Sequence, residues 1–366
     1  MRDVRVLHVI NELGSGGAEA LVVEMVRRSA DAGWVSAVAS HGGRRVAELT
    51  EAGAPHYEVA MSKRTVRGLL AARRDATRAV AAFQPDVVIA HNVSASVVAR
   101  LVRPVRSVIV QKPPIVTVFH GVAGSEYRAA ARILRMTSNR VVTVSDTARH
   151  RLQSAGLRGL DITTIHNAVT PRTETSRHAA RAALDLPQHA PIGLCVARME
   201  HPKRHDLLLE AWHRLPPGDH LLLLAGDGSL RPRWERAART HGDRVRFLGD
   251  RSDIATLLAA ADITTLISDS EGLPMAVLES LAAGRPVVAS DVGGVREILG
   301  HGGGILVPRD DVGAIAKALE ELLGNEAARC RAAVQGLQVL ESRHDPVDMM
   351  SKYRTVVSET LARFAS

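Results

Sequence analysis

Two glutamates eight positions apart, Glu271 and Glu279, sit in the stretch LISDSEGLPMAVLESLAAGRP. If every step between them were helical, about 12 Å would separate them. That exceeds the ~5–5.5 Å between the paired carboxyls of a retaining glycosidase, so the two acids have separate tasks. Glu271 belongs to a loop, where it can meet a substrate. Glu279 falls a turn or two into the following helix, where it can accept hydrogen bonds from a ribose diol. Between them Gly272, Leu273, Pro274 and Met275 lead into a helix start, and all but Pro274 carry an N–H there.

A second set is Arg198 and Lys203 in VARMEHPKRHDLLLEAW. Arg198 ends an apolar run that reads as a strand, and Lys203 lies near the start of the next helix. Ligands of open α/β sheets bind beyond the carboxyl ends of the strands. Two cations there suit a diphosphate, with the arginine able to clamp two oxygens. A third set, Gly14-Ser-Gly16-Gly17-Ala-Glu19, follows the first apolar run and opens a helix. Gly16 and Gly17 would let the backbone approach a phosphate at a helix N-terminus; a plain strand–helix turn would need the same glycines. The dinucleotide fingerprint is incomplete, because Glu19 replaces its third glycine and the second strand ends in Ser40-His41-Gly42 without an acid. Last, His120 in IVTVFHGV ends a strand and could orient or bind substrate, although a purely structural histidine would fit there too.

These residues need strand ends to hold them, and the chain supplies two series. Apolar runs at 4–10, 34–40, 86–91, 114–121, 139–145 and 162–167 alternate with helical patterns at 17–32, 63–83 and 146–155. Continuous rather than alternating apolar runs predict parallel strands buried on both faces. After the polar, proline-bounded segment 170–187 the rhythm restarts at 191–198, 220–226, 245–250, 263–268, 285–290 and 304–308. Two α/β domains, 1–170 and 171–345, are expected, which suits 366 residues. A closing helix over 346–366 should bury the stripe Val347, Met350, Tyr353, Val357, Leu361 and Phe364.

Composition narrows the function classes. No apolar run approaches the ~18 residues needed to span a bilayer, and the N-terminal apolar run, broken at Asn11 and Glu12, reads as a strand rather than a signal peptide. Two cysteines, Cys195 and Cys330, form no metal-ligand cluster, so no metal site is expected and a reducing cytoplasm is the default compartment. The formal charge is lopsided: residues 1–170 carry a net +10 and residues 171–366 a net −2. The excess includes Lys63, Arg64, Arg67, Arg73, Arg74, Arg78, Arg100, Arg103, Arg106 and Lys112. It is either a solvated surface or a face for an anionic membrane or acidic acceptor. Nucleic acid is not expected as a partner, since aromatics are only 3% and no DNA- or RNA-binding motif is present.

With these blocks assembled, the chain resembles the family-4 retaining glycosyltransferases of the GT-B fold. The resemblance runs through SGGAE, FHG, VSDTAR, IHNAV, VARMEHPK, LLAGDG, FLGDRSDI, the Glu271/Glu279 pair and GRPVVASDVGGVREI, in that order. It implies two Rossmann-like doubly wound domains facing across a cleft, the first binding the acceptor and the second a nucleotide-sugar. The last helix would cross back to the first domain. Arg198 and Lys203 would hold the diphosphate together with backbone amides of Gly16 and Gly17. Glu279 would bind the ribose, and Glu271 with the amides of Gly272, Leu273 and Met275 the transferred sugar. His120 would lie at the reacting sugar, and the base would stack near Arg251. UDP is the expected nucleotide by frequency in the family. The sequence has no Asp-x-Asp triplet, in keeping with a family that needs no metal or other cofactor. The acceptor could be a glycan, a lipid-linked sugar or a small natural product. An epimerase or phosphorylase of the same fold, a dehydrogenase, or a protein that binds a nucleotide-sugar without turning it over would be the alternatives.

Overall fold

The computed structural model describes residues 3–61, 65–102, 112–170 and 175–365; Lys63, Arg64, Arg103 and Arg106 of the basic set lie outside them. The chain divides into two compact units. Unit 1 comprises Met1–Asn167 and Pro346–Ser366, and unit 2 comprises Ala168–Asp345.

Unit 1 holds a seven-stranded sheet: β1 (Val4–Val9), β2 (Trp34–Ser40), β3 (His56–Glu58), β4 (Val87–Ala90), β5 (Ile115–Phe119), β6 (Arg140–Thr143) and β7 (Ile162–Thr164). All pairings are parallel, in the order β3-β2-β1-β4-β5-β6-β7. Every residue of β4 and β5 is buried, as expected of strands covered by helices on both faces. β3 had no counterpart in the sequence reading. It is three half-exposed residues, His-Tyr-Glu, at the sheet edge, with no apolar run to betray it.

Unit 2 holds a six-stranded parallel sheet: β8 (Ile192–Val196), β9 (Leu221–Ala225), β10 (Val245–Gly249), β11 (Ile263–Leu266), β12 (Val287–Ser290) and β13 (Gly304–Val307), in the order β10-β9-β8-β11-β12-β13. In both sheets the strand order reverses beside the first strand, between β1 and β4 and between β8 and β11. At such a switch point the two connections leave for opposite sides and open a crevice at the carboxyl ends.

Two helices differ from expectation. The pattern over 17–32 is a helix only over Gly17–Arg27. Arg28 leaves helical geometry, and a 3-10 turn over Ser29–Ala32 ends at Gly33, whose φ of 68° suits glycine. The closing helix spans Pro346–Ala365, but its buried face is Met349, Met350, Tyr353, Val356, Val357 and Thr360, while Val347 is 57% exposed. Of the expected stripe, Met350, Tyr353 and Val357 are buried and Leu361 and Phe364 half-buried; Val347 alone faces solvent, and Met349, Val356 and Thr360 complete the buried face. Polar ties reinforce this packing within unit 1: Arg140 donates to Glu359 at 2.5 Å, and Arg363 pairs with Asp161. Among the described residues no helix is long and apolar enough to cross a membrane.

Candidate functional site

In unit 2 the loops that follow β8 and β11, the two strands of the switch point, are stitched together. The Arg204 amide donates to the Ile267 carbonyl at 2.9 Å, the Asp269 amide donates to that of Pro202 at 3.0 Å, and Lys203 forms an isolated bridge with Ser268. This stitching brings the Lys203 ammonium onto the Glu271 carboxylate as an ion pair, with 18% and 10% of the two side chains exposed. The sequence reading named both residues for the site without pairing them; the structure brings them together. A lysine held by one carboxylate oxygen still has donors to spare for a second anion.

Arg198 lies exposed just past β8. Its loop is pinned by the loop after β9: the Met199 amide donates to the Asp227 backbone carbonyl at 2.8 Å, and the Glu200 carboxylate accepts from the Ser229 amide and hydroxyl. Gly226 makes this approach possible, because a Cβ there would lie 2.0 Å from the Ala197 carbonyl. The hydrogen bonds from Ser229 hold the Glu200 carboxyl below its usual range.

The segment after Glu271 turns into the helix Met275–Ala282, which carries Glu279 in its second turn. Leu273 and Met275 are each only 5% exposed, so they can present backbone rather than side chain. Gly294 lets the next helix start rest on this turn, since a Cβ would meet the Gly272 carbonyl at 1.7 Å. Pro274, at the N-cap, accepts from the Val277 amide at 3.2 Å. Arg251 follows β10 and is engaged with Asp253, Nε and Nη2 standing 2.8 and 2.5 Å from its two oxygens. A base stacking there would meet a guanidinium already fixed in plane.

In unit 1 Gly16 caps the helix Gly17–Arg27, and Glu19 folds back so that its carboxylate lies 2.3 Å from where a Gly16 Cβ would be. The chain's own carboxylate thus lies close to this helix start. His120 follows β5, and its Nε2 is buried without a hydrogen-bond partner. It stacks on His91, which follows β4, at 6.1 Å between ring centres. His91 in turn meets His8 of β1, Nε2 to Nδ1 at 3.0 Å, and His8 approaches the Ser36 hydroxyl at 3.4 Å. Three histidines therefore line adjacent strands across the switch point of unit 1. Burial lowers His8 to about 3 and His120 to about 4, and it pushes His91 well below its ordinary value, the neighbouring rings adding to the effect.

The row His8–His91 escaped the sequence reading. The available signal was a histidine at the centre of the apolar run VRVLHVI, where a polar side chain must find a buried partner. Arg204 escaped it too, although it directly follows Lys203.

The family described as Glycosyltransferase Family 4 matches residues 15–173, and that described as Glycosyl transferases group 1 matches residues 190–325. The chain is 36% identical over 173 residues to the lipopolysaccharide core biosynthesis glycosyltransferase LpsE of Rhizobium meliloti (strain 1021), covering 46% of this chain and 50% of that protein. It is 31% identical over 243 residues to the D-inositol 3-phosphate glycosyltransferase of Mycolicibacterium smegmatis, covering 60% and 56%. The chain thus spans about half the length of the curated relatives it matches. Among solved structures, Anabaena Alr3699/HepE in complex with UDP and glucose superposes with a TM-score of 0.82 at 20% identity, over 97% of this chain and 99% of that one. That likeness is one of fold.

Proposed function

Because this chain belongs to the family-4 glycosyltransferases of the GT-B fold, we propose that it transfers a sugar from a UDP-sugar to an acceptor hydroxyl with retention of configuration and without a metal ion. The observation that carries this reading is the charge cluster at the β8/β11 switch point: Arg198 on one loop, and Lys203 held against Glu271 on the next. A departing nucleoside diphosphate gains negative charge in the transition state. Fixed cations at its oxygens stabilise that change without the reorganisation water would need.

In this reading Arg198 and Lys203 take the diphosphate. Glu271 keeps the ammonium aimed and, with the backbone of Gly272, Leu273 and Met275, holds the sugar. Glu279 accepts from the ribose hydroxyls, and Arg251 lies beside the base. Unit 1 takes the acceptor, and its Gly16–Gly17 turn and His120 serve the reacting groups. The bond from the anomeric carbon to the diphosphate oxygen breaks while the acceptor oxygen bonds to the same face of that carbon. The acceptor proton leaves on the released phosphate, so no covalent enzyme intermediate is needed. Support comes from the incomplete dinucleotide fingerprint, which argues against a dehydrogenase, and from the absence of Asp-x-Asp. The names of the relatives favour a glycan or an alcohol of the inositol phosphate kind as acceptor, with lipid-linked sugars and small natural products in the same chemical class of hydroxyl donors.

The test needs no acceptor. A panel of UDP-, GDP- and ADP-sugars is incubated with the protein in EDTA, and slow hydrolysis is read by mass spectrometry. Release of UDP and one sugar is expected. Hydrolysis that vanishes in EDTA and returns with Mg²⁺ or Mn²⁺ would refute the metal-free reading, and binding of a donor that is never consumed would leave a carrier protein in its place.

A further inference from the structure

We infer that Arg204 is the positioning residue of the Lys203–Glu271 pair: by gripping Asp269 it holds the loop that carries Glu271 against the loop that carries Lys203. The inference rests on the donor-binding reading of that pair and adds a residue to it. Arg204 stands next to Lys203 in sequence, and Asp269 stands two residues before Glu271. Its guanidinium, 23% exposed, is shared among three carboxylates. Nε and Nη2 take both oxygens of Asp206 at 2.9–3.2 Å, and Nη1 takes Asp269 at 3.0 Å and Asp310 at 2.6 Å.

The three contacts do different work. Asp206 lies in the first turn of the helix His205–His213 that Arg204 itself caps, so this contact is local. Asp310 is 56% exposed, and a pair at that exposure is worth little. Asp269 is the contact that spans the switch point, joining the β8 loop to the β11 loop, and only 19% of its side chain is exposed. Its other partners are peripheral: the Arg309 guanidinium at 3.7 Å and the His201 ring at 3.2 Å, themselves 54% and 79% exposed. A planar fork can bind Asp206 edge-on and still reach Asp269 with its outer nitrogen, whereas the single ammonium of a lysine cannot do both. The backbone bonds between the two loops remain when the guanidinium is removed. Its loss should therefore loosen the Glu271 loop without unfolding unit 2.

The consequence can be read directly on Lys203, one of five lysines in the chain. The purified full chain, without ligand, is treated with a limiting amine-acylating reagent, and each lysine is quantified by mass spectrometry, with Lys317 of unit 2 as the internal control. In Arg204→Ala, acylation of Lys203 relative to Lys317 should rise about fivefold, as its carboxylate partner drifts away. Asp269→Asn should reproduce the rise, and the double variant should add little to either, because both act through one link. Asp310→Asn should stay within about twofold of the wild type. Arg204→Lys should behave like the alanine variant. Wild-type acylation of Lys203 in Arg204→Ala or Asp269→Asn, full additivity of the two, or a parallel rise at Lys317 would overturn the inference. A separate arm adds millimolar UDP to the wild type, where shielding of Lys203 is expected. Absence of shielding would count against the nucleotide reading alone, since the ligand-free comparison still decides the role of Arg204.

Discussion

The two units solve one topological problem with opposite electrostatics. Each gathers its polar residues at the carboxyl ends of the strands where the sheet order reverses. In unit 1 these residues are His8 and His91, fully buried, and His120, partly buried, all three rings shifted toward the uncharged form by desolvation. In unit 2 they are Arg198, Lys203, Arg204, Asp269 and Glu271, charged and mostly paired. The surfaces invert this pattern, for the first 170 residues carry a net +10 and the remainder a net −2. A doubly wound sheet thus dictates where a site forms but not its charge. On the proposed reading, the neutral strand ends would meet the hydroxyl acceptor and the fixed cations the leaving diphosphate.

Acid should separate the two units, and this is the largest effect expected. A histidine whose folded pKa is depressed is neutral in both states above about 6.5. Between that value and its folded pKa only the unfolded ring takes up a proton, so stability falls as pH falls; below the folded pKa the loss levels off. His8, titrating at about 3, His120 at about 4 and His91 all weaken unit 1 across this window, each by about 1.4 kcal/mol per pH unit. Among the described side chains of unit 2 one ring is comparably shifted, His205, at about 4. Its Asp206 and Asp253 are depressed carboxylates, Asp206 despite its burial and through Arg204, Asp253 through Arg251. Their contribution is complete above the ordinary carboxylate value and is lost only in stronger acid. Unit 1 should therefore unfold first between about pH 6 and pH 4. Trp34 reports on unit 1 and Trp212 and Trp234 on unit 2, so variants lacking one set or the other resolve the transitions by fluorescence. His91→Gln should shift the unit 1 midpoint to lower pH. Coincident transitions in both units would break the comparison.

Turnover should depend most on the charged side. Arg198→Ala and Lys203→Ala are each expected to slow donor hydrolysis by about 10²–10³, since each removes a cation from the leaving group. Lys203→Ala also strands the Glu271 carboxylate, 10% exposed, without its partner. The double variant Lys203→Met with Glu271→Gln should therefore recover thermal stability while staying inactive. Wild-type rates in both single variants would remove the pair from the site.

What could be read from residues alone follows from which forces are local. Strand identity was legible because central parallel strands buried on both faces need apolar runs, and the twelve runs read from the sequence each hold a strand, including the half-buried edge strand β7, which Ile162 and Ile165 mark. The edge strand at His56–Glu58 buries too little to leave that mark. Arg198, Lys203 and Glu271 were legible from their types at strand ends. The pairing of Lys203 with Glu271 was not, because it depends on β8 and β11 being neighbours across 68 residues of chain. The histidine row is hidden for the same reason, since His8 and His91 meet only when β1 pairs with β4. The closing helix shows the limit of periodicity. Its length, start and most of its buried stripe were readable, but adjacent apolar pairs hid that Met349 and Val356 share the buried face while Val347 does not.

The smallest expected effect tests the outer half of the comparison. The helix Val66–Phe83 exposes Arg67, Arg74 and Arg78 beside Leu69 and Leu70, which are 41% and 50% exposed. Arginines flanking exposed leucines are the arrangement that lies on an anionic lipid surface, the apolar tips entering the headgroup boundary and the cations meeting phosphate. Asp75 tempers this charge by pairing with Arg74 at 3.2 Å and, more loosely, with Arg78 at 3.9 Å. Each cation close to such a surface contributes about 1 kcal/mol, or about fivefold in partitioning. Co-sedimentation with vesicles containing phosphatidylserine should thus be measurable at low salt. It should fall steeply toward 0.5 M salt, since exposed charges are screened within about 10 Å already at 0.1 M. Arg74→Glu with Arg78→Glu should weaken it further, and Leu70→Ser should weaken it without changing the salt dependence. Equal recovery of wild type and variants with neutral and anionic vesicles would mean that the net +10 of this half is solvated surface, and that the contrast between the two units is confined to their strand ends.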